Sequence, residues 1–137
     1  MHATPSFLDR HFPRLLAITG VATMLPGLQF LAPTLFLGAL GMQAGDSTGI
    51  FFARHWGLMV FCFGALLLYA ARHPAARRPL VYAAAIEKLG LVVMVLLAWN
   101  DPALAGMHGA ALFDALCVLL YSAWLLKKPA QEFTGRR

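Results

Sequence analysis

The chain has 137 residues, 60% hydrophobic and 12% charged, against about 45–50% and about 25% in soluble domains. That balance excludes an ordinary soluble domain and points to a lipid bilayer. At about 20 apolar residues per crossing, the expectation is about four spans in a single domain over residues 1–137, with no separate soluble catalytic domain. The net charge of +5 does not indicate nucleic acid, because the basic residues gather at span ends instead of forming the continuous surface that phosphate recognition needs.

In chain order, the segment before residue 15 lacks the small-residue cleavage pattern of a signal peptide, and the apolar run that follows is too long for one. It therefore reads as the lead into a retained first span over about 15–32. Pro26 interrupts that span, and a kink is expected because proline removes a donor and crowds the carbonyl of Ala22. Pro33 suits the first turn of a short interfacial helix over about 33–40. Gly38, Gly41, Gly45 and Gly49, with Asp46 and Ser47, predict a loop. The second span is expected over about 50–71, closed by a basic turn, Arg72-His73-Pro74-Ala75-Ala76-Arg77-Arg78-Pro79. Pro79 would open the third span, about 80–99, which Asn100-Asp101-Pro102 ends. A fourth span, about 109–126, stops at Lys127-Lys128-Pro129.

The fold class is thus all-α, a polytopic transmembrane four-helix bundle with a short interfacial helix between the first and second spans. Arg10 and Arg14, then Arg72, Arg77 and Arg78, then Lys127, Lys128, Arg136 and Arg137 all fall on one side. The opposite loops, 38–49 and 100–108, hold no Lys or Arg. The bias of Lys and Arg toward the cytoplasm then places both termini inside a bacterial inner membrane. Tyr69, Tyr82 and Trp124 fall near the inner interface and Trp56 and Trp99 near the outer one.

Five ionisable residues lie inside the spans: Arg54, His55, Glu87, Lys88 and Asp114. A charge in hydrocarbon costs about 2.5–3.5 kcal/mol on insertion scales, so such residues pair, line a wet cavity or carry chemistry. Arg54 and His55 sit about one turn inside the outer end of the second span, level with Asp114 in the fourth. Glu87 and Lys88 are expected near the midplane, about 10–13 Å from the cytoplasmic end. Neighbours on a helix point about 100° apart, so Glu87 and Lys88 do not pair with each other. Lys88 would snorkel toward an interface. Glu87 would meet Arg54, the Lys88 of a second copy, a polar ligand or water, or else hold a proton.

Helical spacing sorts these residues onto faces. Arg54, Gly57, Phe61 and Gly64 share a stripe, which predicts that Arg54 faces other helices. Ala83, Ala84, Glu87, Gly90 and Met94 form a second stripe; Asp114, Cys117, Tyr121 and Ser122 a third; and Thr19, Thr23 and Pro26 a fourth, with Gln29 at its edge. Turned inward, these stripes make a binding cavity from Arg54, His55, Glu87, Asp114 and Tyr121, with Lys88 and Gln29 as further candidates. The competing reading is an internal ion-pair network, Arg54 with Asp114 or Glu87, that fixes helix register.

Other chemistry is less well supported. His55, Met59 and Cys62 have soft-ligand character at helical spacing, but such residues more often pack, and no metal site is assigned. Cys62 and Cys117 read as buried small hydrophobes. His2, His11 and His73 fall at the cytoplasmic face. No nucleophile, base and orienting group occupy neighbouring turns, which argues against a hydrolase.

The layout supplies one more pointer. Ala32-Pro33-Thr34-Leu35 at the end of the first span, a glycine-bearing loop, and Arg54-His55-Trp56-Gly57 at the head of the second resemble the DoxX-like group of small four-helix membrane proteins. That resemblance implies a quinone-linked oxidoreductase subunit or accessory protein, with Arg54 and Gly57 as structural or site residues. The functional expectation is a binding or accessory subunit that holds a small amphipathic ligand, a quinone or lipid, in an intramembrane polar pocket, alongside a membrane-protein partner or a second copy. Two alternatives stand beside it: a proton-coupled transporter or oxidoreductase that uses Glu87, and a purely structural subunit.

Overall fold

The computed structural model describes residues 7–127; His2, Lys128, Arg136 and Arg137, assigned above to the basic side, and Pro129, expected to stop the fourth span, lie outside the described residues. Five α-helices follow one another: α1 Phe7–Gly27, α2 Pro33–Ala39, α3 Ser47–Arg72, α4 Pro74–Leu97 and α5 His108–Leu125, with 3-10 turns at Leu28–Phe30 and Pro102–Met107. Among the described residues there is no strand. Three stretches are long and apolar enough to cross a membrane: Ser47–Arg72, Pro74–Leu97 and Pro102–Leu125.

Local chemistry accounts for the boundaries. Around Pro26 the first helix does more than kink: it stops at Gly27, tightens into the 3-10 turn and resumes as α2 behind Pro33, the first-turn proline. The loop between α2 and α3 places Gly41 and Gly45 at φ 70° and 74°, a left-handed backbone that favours glycine. Asp46 accepts a hydrogen bond from Gly49 N at 2.9 Å and so caps α3, which starts at Ser47 and not at the expected Ile50.

The basic segment after α3 is not the turn expected from its prolines. The chain breaks only at His73, held extended by the following proline, and Pro74 opens α4. Ala75 to Arg78 are strong helix formers, so the helix runs straight through Pro79. At this end Arg77 donates to the carbonyls of Ala70 and Ala71 at 3.0 and 3.1 Å, capping α3. Arg78 donates to Leu125 O at 2.7 Å and Lys127 O at 3.4 Å, capping α5. Asp9 and Lys127 pair at 3.7 Å. The described basic residues at the helix ends therefore gather at one end of the molecule.

The packing is uneven. α1 and α3 share the largest contact, α4 packs on α5, α3 meets α4, and α1 touches α5. Between α1 and α3 the backbones nearly touch: a Cβ on Gly64 would lie 2.6 Å from Gly20 O, and one on Gly27 would lie 2.6 Å from Phe61 N. Small residues permit this approach, which is how membrane helices gain contact without a hydrophobic driving force. Towards the basic end the core is closed by Phe12, Leu16, Leu67, Val81, Cys117 and Tyr121, with Trp124 stacked on Phe12 at 4.2 Å. Leu25, Leu58, Leu97 and Leu119 remain exposed, an outer surface suited to lipid.

The glycine contact sets a test. Gly64→Ala should lose about 1–3 kcal/mol through overpacking, read from unfolding in detergent micelles. Gly90→Ala, where an added Cβ meets nothing within 4 Å, should be neutral or gain up to about 1 kcal/mol.

Candidate functional site

The buried face of α4 is formed by Val81, Ala84, Lys88 and Val95, and that of α5 by Ala111, Asp114, Cys117, Tyr121 and Leu125. These faces meet, and Lys88 Nζ donates to Asp114 Oδ1 at 2.5 Å, with the two residues 2% and 5% exposed. The same ammonium lies 5.3 Å from the centroid of the Phe113 ring, within cation–π range. Lys88 therefore turns inward and does not snorkel. Lys88, and not Arg54, is the partner of Asp114, because the Pro102–Met107 turn extends the last apolar stretch outward and leaves Asp114 about halfway along it.

Beside this pair lies a cavity of about 240 Å³ to which α1, α3, α4 and α5 all contribute. Trp56 and Phe113 supply aromatic walls; Thr23, Glu87, Lys88 and Asp114 supply polar groups. Thr23 Oγ1 and Glu87 Oε2 are buried and have no hydrogen-bond partner in the protein. Each such group costs about 1–3 kcal/mol until something bonds to it. Pro26, also on the cavity wall, offers no N–H to the carbonyl of Ala22, which leaves one more acceptor nearby. Glu87 faces a second space as well, a crevice between α3 and α4 bordered by Met59, Phe63 and Gly90. The interior acid thus stands between the cavity and the side of the molecule.

The other expected site residues fall elsewhere. Arg54 is exposed and makes no ion pair among the described residues, and His55 beside it is also exposed. The inward face of α3 runs through Gly57, Val60, Gly64 and Leu67, and one turn back it continues to Ala53 in preference to Arg54, since residues four apart align more closely over repeated turns. Gln29 takes that place, with Nε2 donating to Ala53 O at 2.9 Å. Met59 and Cys62 share the exposed side with His55, so Cys62 is not the buried residue expected, whereas Cys117 is buried. His108 stacks on Trp99 at 3.9 Å.

Tyr121 is buried in the core and is not on the cavity wall. Its hydroxyl lies 2.5 Å from Thr19 Oγ1, which itself donates to Leu15 O at 2.9 Å, so Tyr121 is the donor between them. Thr23 and Pro26 lie on the cavity wall, as the polar stripe of the first span predicts, whereas Trp56, expected at the outer interface, and Phe113 were not among the expected site residues. Trp56 precedes the inward Val60 by four residues, and Phe113 adjoins Asp114, spacing that marks both as neighbours of the polar face.

No protein-family model, curated protein or solved structure matches this chain.

Removing one partner of a buried pair strands the other charge, so Lys88→Met alone should cost about 3–5 kcal/mol, whereas Lys88→Met with Asp114→Leu should recover most of it. Unfolding of the single and double variants in micelles checks this, and no recovery would mean that the pair is not what holds these two helices in register.

Proposed function

We propose that this protein is a multi-pass protein of a bacterial inner membrane, a DoxX-like four-helix bundle with α1 as its fourth span and both ends cytoplasmic. It acts as a binding or accessory subunit that holds a small amphipathic ligand, a quinone or lipid, in the cavity beside Lys88 and Asp114. The observation that carries this reading is the set of polar atoms left without partners, Thr23 Oγ1 and Glu87 Oε2, on residues that line a cavity between apolar helices. A hydroxyl and a carboxyl group lining one cavity, with Trp56 and Phe113 also on its wall, suit a compact head group with carbonyl or hydroxyl oxygens, while apolar surroundings suit its chain. The basic residues at one end support the orientation. A partner membrane protein, or a second copy, would cover the side where Arg54 and His55 are exposed.

One observation favours a second reading. Glu87 lines both the cavity and the α3–α4 crevice, the position a proton-carrying acid in a coupled transporter or oxidoreductase would take. In that case Glu87→Gln abolishes turnover while leaving the fold intact.

Purification in mild detergent followed by mass spectrometry of bound lipids, quinones and proteins tests the main proposal. A defined amphipath should accompany the wild-type chain, and Ala110→Phe, which fills the cavity from α5, should lose it. A folded wild-type protein that carries no small molecule, or a variant that keeps its full complement, would overturn the proposal.

A further inference from the structure

The end of the molecule opposite the basic residues contains a second, larger cavity of about 400 Å³, within the range of about 300–1,000 Å³ typical of small-molecule sites. Leu37 and Met42 roof it from α2 and the loop that follows, and Leu104 and Met107 roof it from the 3-10 turn. Trp56 and Leu91 separate it from the cavity beside Lys88, since both residues line both spaces. Phe52 and Met94, both 62% exposed, flank a mouth that opens sideways between α3 and α4.

Its walls are apolar with one exception. Gln29 is 2% exposed, and its Nε2 donates to Ala53 O, which fixes the amide so that Oε1 is the free acceptor. That oxygen is buried and has no partner in the protein. We propose that this cavity is a second binding site, distinct from the one beside Lys88, for a neutral long-chain amphipath whose single hydroxyl or amide N–H donates to Gln29 Oε1.

Four features define the class of ligand. An acceptor without a partner calls for a donor, which excludes ethers, esters and hydrocarbons as the preferred guest. No charged side chain lines the cavity, so a phosphate or carboxylate head would enter without a counter-charge, at high cost. Gln29 lies level with Ala53, about 9 Å below the start of α3 at about 1.5 Å per residue, so the donor of the head group must reach that depth. The thioethers of Met42, Met94 and Met107 form adaptable walls, and the site therefore selects the head group more strictly than the chain.

The test uses the full chain in lipid nanodiscs with two photoactivatable probes, a long-chain primary alcohol bearing a diazirine in its chain and the methyl ether of the same molecule. The alcohol should label peptides containing Met42 and Leu104, competed by unlabelled alcohol, with the ether about tenfold weaker, the equivalent of one buried hydrogen bond. In Gln29→Leu the two probes should label alike. Leu104→Trp, which fills the cavity from the half-exposed roof and leaves Gln29 in place, should remove labelling by the alcohol should Gln29→Leu not fold. Equal labelling by both probes in the wild type, discrimination that survives Gln29→Leu, or full labelling of Leu104→Trp would each overturn the proposal. None of these outcomes depends on what occupies the cavity beside Lys88.

Discussion

An ammonium and a carboxylate buried among apolar helices cannot be left apart, and the bond between Lys88 and Asp114 dictates much of what surrounds it. Desolvating two charges is expensive and repaid only in good geometry, so such a pair contributes specificity more dependably than stability. Here it selects which side of α4 faces α5. With Lys88 pointing at Asp114, Glu87 is rotated about 100° away, out of the core and onto the cavity flank. Glu87 thus owes its place on the cavity wall to the neighbour with which it does not pair.

The two halves of the molecule obey different packing rules. Towards the basic end, large side chains from α1, α3, α4 and α5 interlock around Tyr121 and Phe12, leaving neither cavity described above. Towards the other end α1 gives way at Pro26 and Gly27 to a 3-10 turn, and the close glycine contact holds this remnant against α3. Backbone brought so near one neighbour supplies few side chains to fill the space toward α4 and α5. Both cavities lie in that half, one with three ionisable side chains and one hydroxyl on its wall, the other nearly all apolar.

Much of this architecture could be read from residue order, because composition, proline positions and charge asymmetry are local signals. The break at Pro26, α2 behind Pro33, and the buried face of α5 through Asp114, Cys117 and Tyr121 all follow from spacing alone. What spacing could not supply was the phase of one helix against another. Arg54 lies three residues before Gly57 and seemed to share its stripe, yet Ala53, four residues before, lies closer to the inward line. The depth of Asp114 was misjudged for a related reason: a 3-10 turn adds length before α5 without looking helical in sequence. Pro79 was the expected opening of α4, but the helix-forming residues before it carry the helix back to Pro74.

Arg77 and Arg78 carry a consequence beyond their caps. Charge bias during membrane insertion depends only on the sign of a side chain, and a lysine would serve it as well. Holding two carbonyls at the end of a helix depends on the planar, forked guanidinium, which an ammonium does not reproduce. In the orientation proposed above, the same two residues would answer to two requirements at different times, first as bare positive charge and later as shaped donors directed at α3 and α5. Positions 77 and 78 can in principle drift to lysine without reversing the chain in the bilayer, but not without loosening the seams that close the basic end.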